Sequence, residues 1–222
     1  MRSVHRITAA VGFAALAAAV AVNADAASPA GSPLQGTVKV VVRPVTTAGH
    51  PSTGFSVTGE PAGQVDCSFK EPSPGAVSSN IEFCSPSFEY AIACWKAAAP
   101  HRVLCLRDPR SQRVWRIPRH GAFASTHLAP RAQRAPLEIR LGDGHLCFIR
   151  DGAAGGMLPG HPNLFGTYTC AHDGEVWASE NAKHNGVNES HPTWTVRTAH
   201  GGSHTLLTRR VAKAWFAGTA QA

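Results

Sequence analysis

Lysine is scarce in this chain of 222 residues, with five lysines against sixteen arginines, and only two methionines and two tyrosines are present. Abundant Ala, Pro and Gly accompany the arginines, the amino-acid usage of a high-GC bacterium, so no single arginine counts as a functional sign by itself. Past residue 22 there is no apolar run near the roughly 20 residues that a membrane-spanning helix needs. The sequence has no C-x2-C pair, which argues against a cysteine zinc site. It also lacks H-E-x-x-H, G-x-S-x-G and S-x-x-K, so the motif-bearing zinc proteases, α/β-hydrolases and serine acylating enzymes have no signature here. No fixed-period repeat is visible, which argues against a solenoid or propeller.

What is present begins with Arg2, His5 and Arg6 ahead of a sixteen-residue uncharged run, Ile7 to Val22. This pattern predicts a secretory signal peptide over residues 1–27, cut after the small-residue site Ala24-Asp25-Ala26. No transmembrane segment is expected after cleavage, and the expected location is secreted, extracellular or cell-wall associated. About 195 residues follow from Ser28, enough for one domain with a real core. Residues 28–64 are rich in Ser, Thr, Pro and Gly and read as a linker with one candidate edge strand, Thr37 to Arg43, stopped by Pro44. The compact domain is expected over 65–218.

Six cysteines in an exported chain predict three disulfides. Cys67 and Cys84 flank Pro72-Ser73-Pro74-Gly75; Cys94 and Cys105 flank Ala97 to His101; Cys147 and Cys170 flank Gly155 to Pro162. Each midpoint is turn chemistry between two strand-like runs, so of the 15 connectivities six cysteines allow the one made of these three local bridges is favoured. A bridge of this kind contributes about 3 kcal/mol by restricting the unfolded chain.

Eleven short strand-like runs lie between Val65 and Phe216, separated by Pro, Gly, Asn or Asp. That regularity predicts an all-β fold, a sandwich or small barrel of short antiparallel hairpins. Thr193 to Thr198 should place Trp194 and Val196 on one face. Two segments are ambiguous. Residues 205–216 carry apolar side chains at helical as well as strand spacing, and residues 89–99 hold good helix formers. The five tryptophans, Trp95, Trp115, Trp177, Trp194 and Trp215, are expected to fill a core otherwise short of large side chains.

Charge is distributed unevenly. From Arg107 to Arg140 there are eight arginines (107, 110, 113, 116, 119, 131, 134 and 140) against Asp108 and Glu138, a net of +6. The chain from Ser28 has nineteen basic and thirteen acidic residues, also +6, so its entire excess sits in this stretch. Arg107, Arg110, Arg113, Arg116, Arg119, Arg131 and Arg134 are therefore the candidate contacts to an anionic envelope polymer or lipid headgroup. A two-residue strand period would nonetheless separate Arg113 and Trp115 from Arg110 and Arg116. No sequence-specific nucleic-acid partner, cofactor or defined metal site is expected.

Histidines form the second concentration: His172, His184, His191, His200 and His204. His200-x3-His204 has metal-ligand spacing, but Gly201-Gly202 makes it a turn with no fixed geometry. A hydrolytic site could be assembled from His172, Asp173, His184 and Ser190, or from carboxylates chosen among Asp173, Glu175 and Glu180, with no motif to single any of them out.

The runs CSPSFEYAIACWKAAAPHRVLCLRDP, RLGDGHLCFIRDG with GTYTC, and SHPTWTVRT with RRVAKAWFAGTA resemble secreted mycobacterial and other actinobacterial proteins of uncharacterised role. The likeness covers roughly Cys84 to Ala220. It implies export and a shared small disulfide domain, and supplies no catalytic residues. Two functions follow as expectations: a non-enzymatic envelope-associated module that holds an anionic partner through the arginines, or a small secreted hydrolase using a histidine between His172 and His191.

Overall fold

The computed structural model describes residues 36–59, 63–84, 91–123, 125–150, 156–172, 174–200 and 203–222. The expected signal peptide lies outside them, as do Asp173 and the Gly201-Gly202 turn. Residues Leu34–Ala222 form one compact unit.

Its elements in chain order are β1 (Val38–Thr46), β2 (Ser56–Thr58), β3 (Val65–Asp66), β4 (Ala93–Lys96), β5 (Arg102–Leu106), β6 (Arg113–His120), β7 (Glu138–Leu141), β8 (Leu146–Ile149), β9 (Met157–Leu158), β10 (His161–Cys170), β11 (Gly174–Ala178), β12 (Thr195–His200) and β13 (Leu207–Ala220). Helical structure among the described residues is limited to short 3-10 turns at Arg131–Gln133 and Lys183–Gly186. The all-β expectation holds, and of its two forms the barrel is present.

Six strands make that barrel, in the order β13, β12, β11, β10, β8, β7, with β7 returning to β13 to close it. Closure is possible because β13 is fourteen residues long. Its first part pairs with β12 and its middle with β7 on the opposite edge. Period-2 alternation then fills the interior with Ile139, Leu141, Cys147, Ile149, Tyr168, Cys170, Val176, Val196 and Val211, all buried in one cluster. Trp194 and Val196 share that cluster, as the alternation of Thr193 to Thr198 predicts.

The second sheet has the order β2, β6, β5, β4, with β3 continuing along the β6 edge beyond β2. Its faces separate cleanly. Trp95, Leu104, Leu106 and Val114 join the barrel cluster, while Cys94, Val103, Cys105 and Ile117 pack with Val65, Cys67, Cys84 and Ala91. The Trp95 indole also donates to Thr219 Oγ1 at 3.1 Å, tying β4 to the end of β13.

All three disulfides have the expected local pairing, and no described cysteine is free. Cys94 opposes Cys105 across β4–β5, and Cys147 opposes Cys170 across β8–β10.

The described part of the segment expected as a linker takes part in the fold. The strand expected at Thr37 to Arg43 docks as β1, parallel to β13, and extends through Pro44 to Thr46. Val45 is fully buried in the barrel cluster. Gly49 allows the turn after β1 to close on the β4–β5 hairpin: its φ is +80°, and a Cβ there would lie 2.6 Å from the Lys96 carbonyl oxygen. Both segments of ambiguous periodicity contribute strands, β4 within 89–99 and β13 across 207–220.

Candidate anion-binding face

In β7, alternation sends Ile139 and Leu141 into the barrel and leaves Glu138 and Arg140 on the opposite face. Directly opposed residues in neighbouring strands share a face. Glu138 is opposed by Phe148 of β8 and by Trp215 of β13, and Arg140 by Lys213 of β13. One outer patch therefore holds Glu138, Arg140, Phe148, Lys213 and Trp215.

The two cations converge on the tryptophan. The Arg140 guanidinium lies 5.7 Å from the indole centroid of Trp215 and Lys213 Nζ lies 5.1 Å from it. Cation–π attraction at such distances offsets part of the repulsion between two positive groups set opposite one another.

The loop between β5 and β6 supplies the third cation. Asp108 shapes the loop by accepting the Arg110 backbone N–H at 2.8 Å, and its other oxygen pairs with Arg110 Nη2 at 3.1 Å. So positioned, Arg110 sits 5.8 Å from the Phe148 ring centroid and brings Nε to 2.8 Å from Glu138 Oε1. The contact is close, but neither Glu138 oxygen has a hydrogen bond of good alignment among the described residues. Burial pushes the Glu138 carboxyl up to about 7, with Arg110 the main charge holding it down. A buried carboxyl that is readily protonated leaves the net charge of this patch positive.

The other sequence-predicted arginines are dispersed. Arg107 is exposed after β5. Arg113 and Arg116 are exposed on β6, an odd number of residues apart and so on opposite faces. Arg119 is half-buried and lies near Glu82. Arg131 is exposed in a 3-10 turn. Arg134 is half-buried, and its carbonyl oxygen lies 2.7 Å from His184 Nδ1. Of the seven candidates, only Arg110 is brought to the patch around Trp215. Arg140, counted in the charged stretch, and Lys213, in the final strand, complete it. Two alternating strands far apart in sequence carry these residues, and only barrel closure sets them side by side.

Glu82 escaped notice in the sequence because nothing local marks it. It is fully buried, its backbone pairs with Cys94, and its carboxylate oxygens lack hydrogen-bond partners among the described residues. Burial pushes its carboxyl up to about 8, against the opposing pull of Arg119. Cys67, Glu82 and Cys84 bring potential metal-ligand atoms within 4.8 Å of one another, but both sulfurs are committed to a disulfide.

The histidines expected for hydrolysis are spread over separate elements. His184 Nδ1 lies 3.9 Å from Glu189, beyond hydrogen-bond distance, and its nearer contact is the Arg134 carbonyl. The Ser190 backbone N–H donates to Asn188 Oδ1, Glu175 is paired with Arg150 at 2.5 Å, and His204 Nδ1 lies 2.7 Å from the Pro159 carbonyl oxygen. Glu180, His191 and His200 are exposed. No described helix is long and apolar enough to cross a membrane. No protein-family pattern, no curated protein and no solved structure matches the chain.

Proposed function

We propose that the chain is an exported, non-enzymatic binding module that holds an anionic envelope polymer or lipid headgroup against the outer face of its barrel. The observation that carries this reading is the Arg140–Lys213 pair, directly opposed across β7 and β13 with both cations over Trp215. Like charges in directly opposed positions destabilise a sheet, and an anion seated between them removes that cost. Arg110 stands beside the pair, and Phe148, 38% exposed, gives the patch an apolar margin. Export accords with three disulfides, which persist in oxidising compartments.

The test is retention on vesicles containing phosphatidylglycerol and on acidic cell-wall polymer at increasing salt. Retention falls as salt rises, because exposed charges are screened within about 8 Å at physiological ionic strength. Each basic residue near an anionic surface contributes about 1 kcal/mol, so the double variant Arg140→Gln/Lys213→Gln binds roughly 30-fold more weakly. Arg113→Gln/Arg116→Gln removes the same charge elsewhere and has a clearly smaller effect. Equal losses in the two variants, or retention that ignores salt, would end this reading.

A further inference from the structure

His145 and His172 meet at the end of the barrel where the β7–β8 and β10–β11 turns come together. The pairing of Cys147 with Cys170 across β8 and β10, continued by two residues, sets His145 opposite His172. A disulfide between those cysteines holds the two strands together directly beside the histidines. His145 is partly exposed and His172 is exposed, so both are open to solvent ions.

The spacing of the rings would admit a metal ion between them. Their centroids are 5.3 Å apart and their planes are inclined by 51°, so they are not stacked. Zinc–nitrogen bonds of about 2.1 Å, added to about 1.2 Å from ring nitrogen to ring centre, place a metal about 3.3 Å from each centroid. At a tetrahedral angle two such rings have centroids about 5.4 Å apart, close to the 5.3 Å found here.

A carboxylate stands behind one ring. Asp143 Oδ2 lies 3.8 Å from His145 Nδ1, and Arg209 Nη1 holds that same oxygen at 3.2 Å. Asp143 Oδ1 accepts the His145 backbone N–H at 3.2 Å. At 3.8 Å the carboxylate is beyond hydrogen-bond distance of the ring, so Asp143 acts on His145 through its charge and through the backbone N–H that it accepts.

We infer that His145 and His172 form a divalent transition-metal site, zinc or copper by ligand type, with Asp143 positioning His145. Neutral imidazole suits these ions over calcium or magnesium, which take oxygen ligands. Two protein ligands leave the remaining coordination positions to water or to a donor from a partner. This site is on different residues from the basic face, and its test is independent of anion binding.

The experiment is calorimetric titration of the folded, disulfide-intact chain with zinc chloride, repeated for His145→Gln, His172→Asn, Asp143→Asn and His204→Ala. Asparagine is chosen at position 172 because φ there is +62°, a conformation asparagine tolerates. Circular dichroism establishes that each variant is folded. One zinc per chain binds in the native protein, and that event disappears in His145→Gln and in His172→Asn. It weakens in Asp143→Asn, which removes the negative charge beside His145, and is unchanged in His204→Ala. As a second readout, copper(II) bound to the native chain gives an electron paramagnetic resonance spectrum with two imidazole nitrogens. Zinc uptake that survives both histidine substitutions, or is lost equally in His204→Ala, overturns the assignment.

Discussion

Two buried carboxyls and one threonine carry much of what is unusual at the residue scale. Burial raises Glu82 to about 8 and Glu138 to about 7, from an ordinary value of 4.5. Between the unfolded value and these folded values the native chain keeps protons that the unfolded chain has released. Stability therefore declines as pH rises from about 4.5 to about 8 and recovers as pH falls through the same window. Urea denaturation from pH 5 to 9 should show that decline, and in Glu82→Gln the dependence should flatten. A variant curve parallel to the native one would contradict the buried-carboxyl account. Thr37 acts differently. Its hydroxyl donates to the Val211 carbonyl at 2.6 Å and accepts the Trp194 N–H at 2.7 Å. It fills the point where β12 ends and β1 takes over one edge of β13. Thr37→Val leaves two partners unsatisfied and should cost about 1–3 kcal/mol, read as a lower urea midpoint with an unchanged slope.

At the scale of elements, most strands were legible because turn residues bracket them. The three hairpin staples were legible for the same reason: each cysteine pair encloses Pro or Gly, or a short Ala-Pro-His turn, at its midpoint. β13 was ambiguous for a physical reason. Ala214 through Ala217 are all buried, since one face lines the barrel and the other lies beneath Arg140 and Lys213. A strand covered on both faces loses its alternation, and helical spacing then fits it as well. The docking of β1 was not legible either, because the parallel pairing of Val38 with Lys213 through Thr46 with Ala220 joins segments far apart in the chain and leaves no local mark. β1 covers an edge of β13 that would otherwise be free to pair with another chain. Starting the chain at residue 47 should therefore lower the thermal midpoint and promote aggregation, measured by calorimetry and light scattering. A fully monomeric truncated chain melting at the native temperature would refute that role.

For the whole molecule, closure of the barrel is the step that brings Arg140 and Lys213 together. The sequence located the excess charge, yet Arg113 and Arg116 fall on opposite faces of β6, and Arg119 and Arg134 turn toward interior or local partners. Composition cannot distinguish arginines that disperse from arginines that converge. The converging set, Arg110, Arg140 and Lys213, spans a loop and two strands separated by some seventy residues in the chain, so only the β7–β13 pairing reveals it. The five lysines make this face directly measurable. Lysine acetylation, followed by peptide mass spectrometry with and without anionic vesicles, reports the protection of Lys39, Lys70, Lys96, Lys183 and Lys213 in one experiment. Anionic binding at the barrel face predicts selective slowing at Lys213, with Lys70, Lys96 and Lys183 unchanged; equal rates at Lys213 with and without vesicles, or uniform protection of all five, would contradict it.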